Sequence, residues 1–114
     1  MCFVTTKTAR AKIAKEDIEC WKTLYHKEDR KYSACENYVY VKDIIQPQVK
    51  IKKDMGYDEV FINQGYHSCR TIEETKTWVE CDPIMIIHKF IIPKGTRYFE
   101  NEEDYVSETI ILID

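Results

Sequence analysis

Histidine and cysteine stand two residues apart at one place in the chain, His67 and Cys69, within the stretch Gly65-Tyr66-His67-Ser68-Cys69. In an extended segment residues i and i+2 share a side, so the imidazole and the thiol would face the same way. Cysteine attacks as its thiolate and needs a base to hold that form, which makes the pair a candidate for covalent catalysis. Such partners are usually brought together by the fold, and the plainer expectation is a buried thiol beside a histidine near a turn. Cys81 and His88 extend the set of zinc-ligand types. Structural zinc sites clamp the ion from two closely spaced pairs, and the separations here do not supply that, so no metal is expected. His88 falls on one strand face with Ile84, Ile86, Phe90 and Ile92 and is expected as a hydrogen-bonded histidine in the core or at its margin.

Glu108 is the second candidate, because in a strand it would share its face with Val106, Ile110 and Leu112. A carboxylate on an apolar face needs a partner or a function. Two alternating segments, residues 96–100 and 105–113, flank the polar Asn101-Glu102-Glu103-Asp104, a loop length common in antiparallel hairpins. Closing that loop sets Phe99 opposite Val106, Tyr98 opposite Ser107 and Arg97 opposite Glu108. Directly opposed residues are the contacting unit of a sheet, so the register gives Glu108 an arginine.

The aromatic residues Trp21, Tyr25, Tyr32, Tyr38, Tyr40, Tyr57 and Tyr66 could stack on nucleic-acid bases if several faced one way. No basic face surrounds them, and core or rim packing is the plainer expectation. A concave pocket for a nucleotide or small metabolite is the sharper one, with Tyr66, His67, Tyr38, Tyr40 and Trp21 as its candidate lining. The chain has no glycine-rich phosphate loop, serine elbow or paired metal carboxylates, and with three glycines it offers few places for a backbone cradle.

These side chains must be held by a single domain. Its 114 residues are enough for one core, and 44% hydrophobic with 32% charged residues is the balance of a folded globular chain. The net charge of −3 gives no general attraction to nucleic acid or to an anionic membrane. No apolar run approaches the length of a membrane span, and the start lacks the pattern of a signal peptide, so a cytoplasmic location is expected. Five cysteines without Cys-x-x-Cys spacing are expected as free thiols.

The patterns give the elements in order. Residues 1–4 suit an edge strand, and 8–15 are ambiguous between helix and strand. A strand is expected over 18–25, a loop over 27–37, a short strand over 38–42 and a half-solvated edge strand over 48–53, where Val49 and Ile51 alternate with Lys50 and Lys52. A turn candidate at 54–58 is followed by the segments Val60-Phe61-Ile62 and Gln64-Gly65-Tyr66-His67-Ser68-Cys69. Thr71-Ile72-Glu73-Glu74 is a capping-box pattern and predicts a helix from Ile72 to Val79 or Glu80 that buries Ile72, Trp78 and Val79. Residues 84–92 are nearly all apolar and β-branched, which predicts a central strand covered on both faces, followed by a Pro93-Lys94-Gly95 corner. The whole is expected to be one α+β domain spanning 1–114, a bent, mostly antiparallel sheet of six or seven strands with one short helix.

The phrases Ile92-Pro-Lys-Gly-Thr-Arg-Tyr98 and Tyr105-Val-Ser-Glu-Thr-Ile-Ile-Leu112, with Gly65-Tyr-His-Ser-Cys69 and Asp17-Ile-Glu-Cys-Trp-Lys-Thr-Leu24, resemble a group of small bacterial and phage proteins. That resemblance implies a shared fold and names no reaction. More distantly, a Gly-aromatic-His segment, a helix and a late Pro-x-Gly corner before a strand carrying a glutamate is similar to the layout of ADP-ribosyltransferase-like domains. This implies an NAD cleft between two small sheets, with Glu108 in the place of the ribose-orienting glutamate and His67 or His26 in the cleft.

The expected function is a small non-enzymatic binding or interaction module of phage or mobile-element origin, without cofactor, acting on a host protein or a small nucleotide-like ligand. The alternative is a reduced NAD-dependent ADP-ribosyltransferase-like enzyme using Glu108 and His67. A third expectation is a homo-oligomer whose edge strands pair.

Overall fold

A computed structural model describes residues 3–27, 30–32, 39–56, 59–81 and 85–114; the side chains of Lys27, Arg30, Tyr32, Trp78, Glu80 and Cys81 lie outside that description. The elements are β1 (Phe3–Thr5), β2 (Lys12–Ile13), β3 (Ile18–Lys27), β4 (Arg30–Tyr32), β5 (Val39–Tyr40), β6 (Asp54–Met55), β7 (Val60–Ile62), β8 (Tyr66–Cys69), α1 (Ile72–Cys81), β9 (Ile86–Ile92), β10 (Arg97–Glu100), β11 (Asp104–Ser107) and β12 (Ile111–Leu112).

The longest pairing joins β3 to β9, antiparallel from Ile18 opposite Ile92 to Leu24 opposite Ile86. Around it the main sheet runs β12-β9-β3-β8-β11-β10-β2, with β4 attached to β3 and β5 to β4, while β1, β7 and β6 form a second sheet. The described pairings are antiparallel. Strand alternation sends Cys20, Leu24, Phe90 and Ile92 to one face, where they pack with Tyr40, Tyr66, Ile110 and Leu112. Val106 and Phe99 point the other way and pack with Phe3, Ile51 and Ile62 under the small sheet. α1 lies against β3, β9 and β8. One bent sheet thus separates two apolar clusters, the arrangement of an α+β domain.

The hairpin register agrees with the sequence: Tyr98 faces Ser107 and Phe99 faces Val106. Asn101 closes the loop, its Oδ1 accepting from the amides of Glu103 at 2.9 Å and Asp104 at 2.7 Å. The continuous strand expected over 105–113 is broken, however. β11 stops at Ser107, and the chain crosses over Glu108, Thr109 and Ile110 to pair with β9 as β12. The strand expected over 48–53 is not a ladder strand either. Its alternation is real, since Ile51 is buried and Lys50 and Lys52 are exposed, but it is held to Glu108 by isolated bonds. Lys53 caps the carbonyls of Lys7 and Ala9 and guards no edge.

Within the expected loop at 27–37, residues 30–32 form a strand that turns back on β3. A run of charged residues hid it, because strand pairing on a solvated edge leaves little hydrophobic signal. The helix starts at the expected threonine, with Thr71 Oγ1 accepting from Glu74 N at 3.2 Å. Ile72 is 38% exposed and Thr75 takes the buried position instead, while the Trp78 side chain lies outside the described residues. β9 is central but covered fully on one face only: His88, Phe90 and Ile92 are buried on that face, Ile87, Lys89 and Ile91 on the other are half-buried, and Ile86 at the start of the strand is 48% exposed.

Candidate functional site

Glu108 lies where β11 ends and the chain crosses over, and the fold encloses it from three directions. Its Oε2 is 3.3 Å from Arg97 Nη1 and accepts from Ile51 N at 3.2 Å, and its Oε1 accepts from Gln48 Nε2 at 3.2 Å. The backbone repeats the arrangement, since Glu108 N donates to the Arg97 carbonyl and its own carbonyl accepts from Val49 N. The carboxylate is therefore a bracket for residues 48–51. Both of its oxygens are engaged inside the fold.

His67 sits on β8 opposite Val106 and is 5% exposed. Its Nε2 is 3.4 Å from the Asn63 carbonyl, and its Nδ1 is buried with no hydrogen-bond partner. Burial, helped by the Lys22 ammonium, lowers its pKa to about 4. β3 and β8 share only the Trp21–Cys69 register position before they part, and Lys22 Nζ fills the gap by donating to the His67 carbonyl at 2.6 Å. The Cys69 thiol is pushed up to about 11 by burial, with the nearby Asp104 carboxylate adding to the rise. Burial raises Asp104 in turn. Burial thus works against both the thiolate and the imidazolium that covalent catalysis needs.

Among the described residues the aromatic candidates do not line one cleft. Tyr40 and Tyr66 are 2% and 1% exposed and meet edge to face with centroids 6.5 Å apart; Tyr40 also stands on Phe90 at 5.1 Å. The Tyr66 hydroxyl donates to the Pro47 carbonyl at 2.7 Å. Both are core residues, a correction to their reading as pocket lining. Trp21 is half-buried on the other face, in register with Cys69 and Lys89, and Tyr38 lies outside the described residues. The hollow lined by Lys12, Ile13, Lys15, Asp17 and Tyr98, and that lined by Val4, Lys7, Met55 and Glu59, draw on other residues.

The structure brings together a pair that sequence spacing did not join. His26, near the end of β3, and His88 on β9 approach with their Nε2 atoms 2.8 Å apart. Sixty-two positions separate them in the chain, and the β3–β9 register sets Lys22, four positions before His26, opposite His88, so the contact runs diagonally between the two strands. His88 Nδ1 lies 2.7 Å from the main-chain carbonyl of Asp114. Burial lowers the pKa of His88, and the Asp114 contact opposes that shift.

Among the described residues no group of three or more His, Cys, Asp and Glu side chains is placed to hold a metal ion, and no helix is long and apolar enough to cross a membrane. Comparison with protein-family models, with curated proteins and with solved structures finds no match in any of the three.

Proposed function

We propose that the chain is a small non-enzymatic interaction module that engages a protein partner through the edge carried by β5 and the turn after it. One observation carries the reading. Within seven residues Val39, Val41, Ile44 and Ile45 are 40%, 58%, 56% and 56% exposed, although each has the side chain of a core residue. Single exposed apolar residues are ordinary, whereas a cluster marks a surface that a partner covers. β5 pairs with β4 and stands at a margin of the sheet, where added strands or loops can dock. A host protein is favoured over a small nucleotide-like ligand because Tyr40 and Tyr66, expected to grip a base, are packed in the core.

The alternative, NAD-dependent ADP-ribosyl transfer with Glu108 orienting the ribose, draws no support from the geometry. Glu108 is turned to Arg97, Gln48 and Ile51 N, and His67, in register with Val106, is buried.

The test places a photo-crosslinking side chain at Val41 and exposes the full chain to host lysate. The expected outcome is a discrete crosslinked protein that disappears in the Ile44→Lys, Ile45→Lys double variant. No crosslink to any protein, or a crosslink indifferent to the two lysines, overturns the reading; a crosslink to a second copy of the chain replaces it with self-association. Calorimetry with NAD at millimolar concentration tests the alternative, for which a saturable heat is required.

A further inference from the structure

The contact between His26 and His88 fixes where the protons sit. A main-chain carbonyl only accepts, so the nitrogen of His88 that lies 2.7 Å from the Asp114 carbonyl, Nδ1, carries a hydrogen. A neutral imidazole has one N–H, so His88 Nε2 presents a lone pair. The 2.8 Å approach of the two Nε2 atoms then requires the hydrogen on His26 Nε2. The ring planes differ by 14° and the centroids are 5.0 Å apart, so the rings meet through their edges along an N–H···N line and do not overlap face on. A single donor chain results, from His26 to His88 to the carbonyl of Asp114.

We infer that His26 and His88 form a proton-operated latch between β3 and β9, closed when the pair carries no added proton or one, and opened by a second. A proton added at Nδ1 of the exposed His26 leaves its Nε2–H donating to His88, now as a stronger charge-assisted bond. The second must go to His88 Nε2, which faces the donor hydrogen of His26. The bond is lost and two cationic rings are left in contact, which repel. The surroundings act in the same sense. Lys31 of β4 stands opposite His26, and Lys22 of β3 stands opposite His88 with its ammonium turned to the His67 carbonyl. Asp114, beyond β12, is the opposing charge, and Lys89 faces away toward Glu19. Burial of His88 adds to the resistance.

The latch has a mechanical consequence. Lys31 is opposite His26 on one side and Tyr40 on the other, and Tyr40 is the side chain through which the β4–β5 ribbon enters the core. Release of His26 loosens the root of that ribbon. Control of the Val39–Val41 edge by acid follows only if that edge is the partner surface, so it rests on the proposed function; the titration described next reads the latch whatever binds there.

The experiment is a nitrogen-15 NMR titration of the histidine rings in the full chain from pH 8.5 to 4.5, with His26→Ala and His88→Gln variants. At high pH His26 should show the Nε2–H tautomer and His88 the Nδ1–H tautomer. On acidification the pair should bind its two protons at least tenfold apart in affinity, with both ring signals moving in both steps. Each variant should leave one histidine of the pair titrating in a single step, while His67 keeps its wild-type curve. Should His88→Gln not fold, His26→Ala decides alone, because that position is exposed. A separation under tenfold, a His26 Nδ1–H tautomer at high pH, or a His88 curve unchanged by His26→Ala overturns the inference.

Discussion

Arg97 Nη1 stands 3.3 Å from Glu108 Oε2 and 2.8 Å from the carbonyl of Ile51, so one guanidinium nitrogen ties the end of the hairpin to a segment forty-six residues away. The same carboxylate oxygen accepts from Ile51 N. A segment with no ladder of its own is thereby given donors and acceptors by one ion pair. Buried backbone groups need such partners, and here two side chains replace a strand.

The bracket predicts a coupled loss of stability. Arg97→Ala leaves Glu108, only 11% exposed at its side chain, with an unpaired charge, while the arginine itself is 39% exposed and partly screened. The expected cost is therefore about 1–3 kcal/mol, below that of a fully buried pair. Glu108→Gln should cost less, since its amide oxygen still accepts from Ile51 N. Urea unfolding of the two single variants and the double variant closes a cycle with a coupling of about 0.5–2 kcal/mol. A coupling of zero would mean that the two side chains are neighbours without interacting.

Gly65, just before β8, lies directly against the side chains of Ile51 and Val106. Its φ is +127°, and a Cβ there would lie 2.6 Å from Ile51 Cγ2 and 2.8 Å from Val106 Cγ2, both in the buried cluster. Backbone strain and overpacking act together, so Gly65→Ala should destabilise by more than about 2 kcal/mol. Gly95 has φ +89° but open space around it, so Gly95→Ala should cost about 1 kcal/mol from the turn alone. Thermal melts of the two variants side by side give the comparison, and an equal loss at both would show that the contact at Gly65 is unimportant.

The hairpin was legible because a tight loop fixes register, and register alone carried Arg97 to Glu108. The capping box was legible because it is local. What escaped were interactions between distant segments: the two small strands of two residues each, β2 and β6, have too little sequence to show a period. Residues 48–51 alternate like a strand because one side faces the core, but alternation reports burial and not hydrogen bonding. The tyrosines looked like pocket lining because aromatic residues serve cores and sites equally well. The His26–His88 contact had no sequence signal, since neither histidine has a chemically matching neighbour within its own element.

Both described free cysteines are expected to be inert. Burial pushes the Cys20 thiol up to about 12 and the Cys69 thiol to about 11. In a chain whose Cys2, Cys35 and Cys81 are replaced by serine, a thiol-reactive disulfide reagent at pH 8 should label neither residue in the native protein and both after unfolding in guanidinium. Thiolate, not thiol, reacts, and neither the pKa nor the access permits it. Rapid labelling of Cys69 alone would reopen the case for a nucleophile beside His67.

Acid should unfold the protein partly through His67. Its pKa falls from 6.5 to about 4 on folding, with burial as the main cause. The unfolded chain therefore binds more protons than the native one between those values, and stability falls as the pH drops from about 6.5 toward 4. Below the folded value the loss is complete, and above 6.5 it is absent. A shift of this size corresponds to about 3 kcal/mol at most. His67→Leu removes the titration together with the buried, unpartnered Nδ1, and gives up only the 3.4 Å contact to the Asn63 carbonyl. At pH 7.5 the variant should be within about 1 kcal/mol of the wild type, and at pH 4.5 it should be the more stable of the two. His88 titrates in the same direction in both proteins and cancels from the difference. Urea midpoints at the two pH values provide the measurement, and a difference between variant and wild type that does not change with pH would show that His67 takes up its proton without opposing the fold.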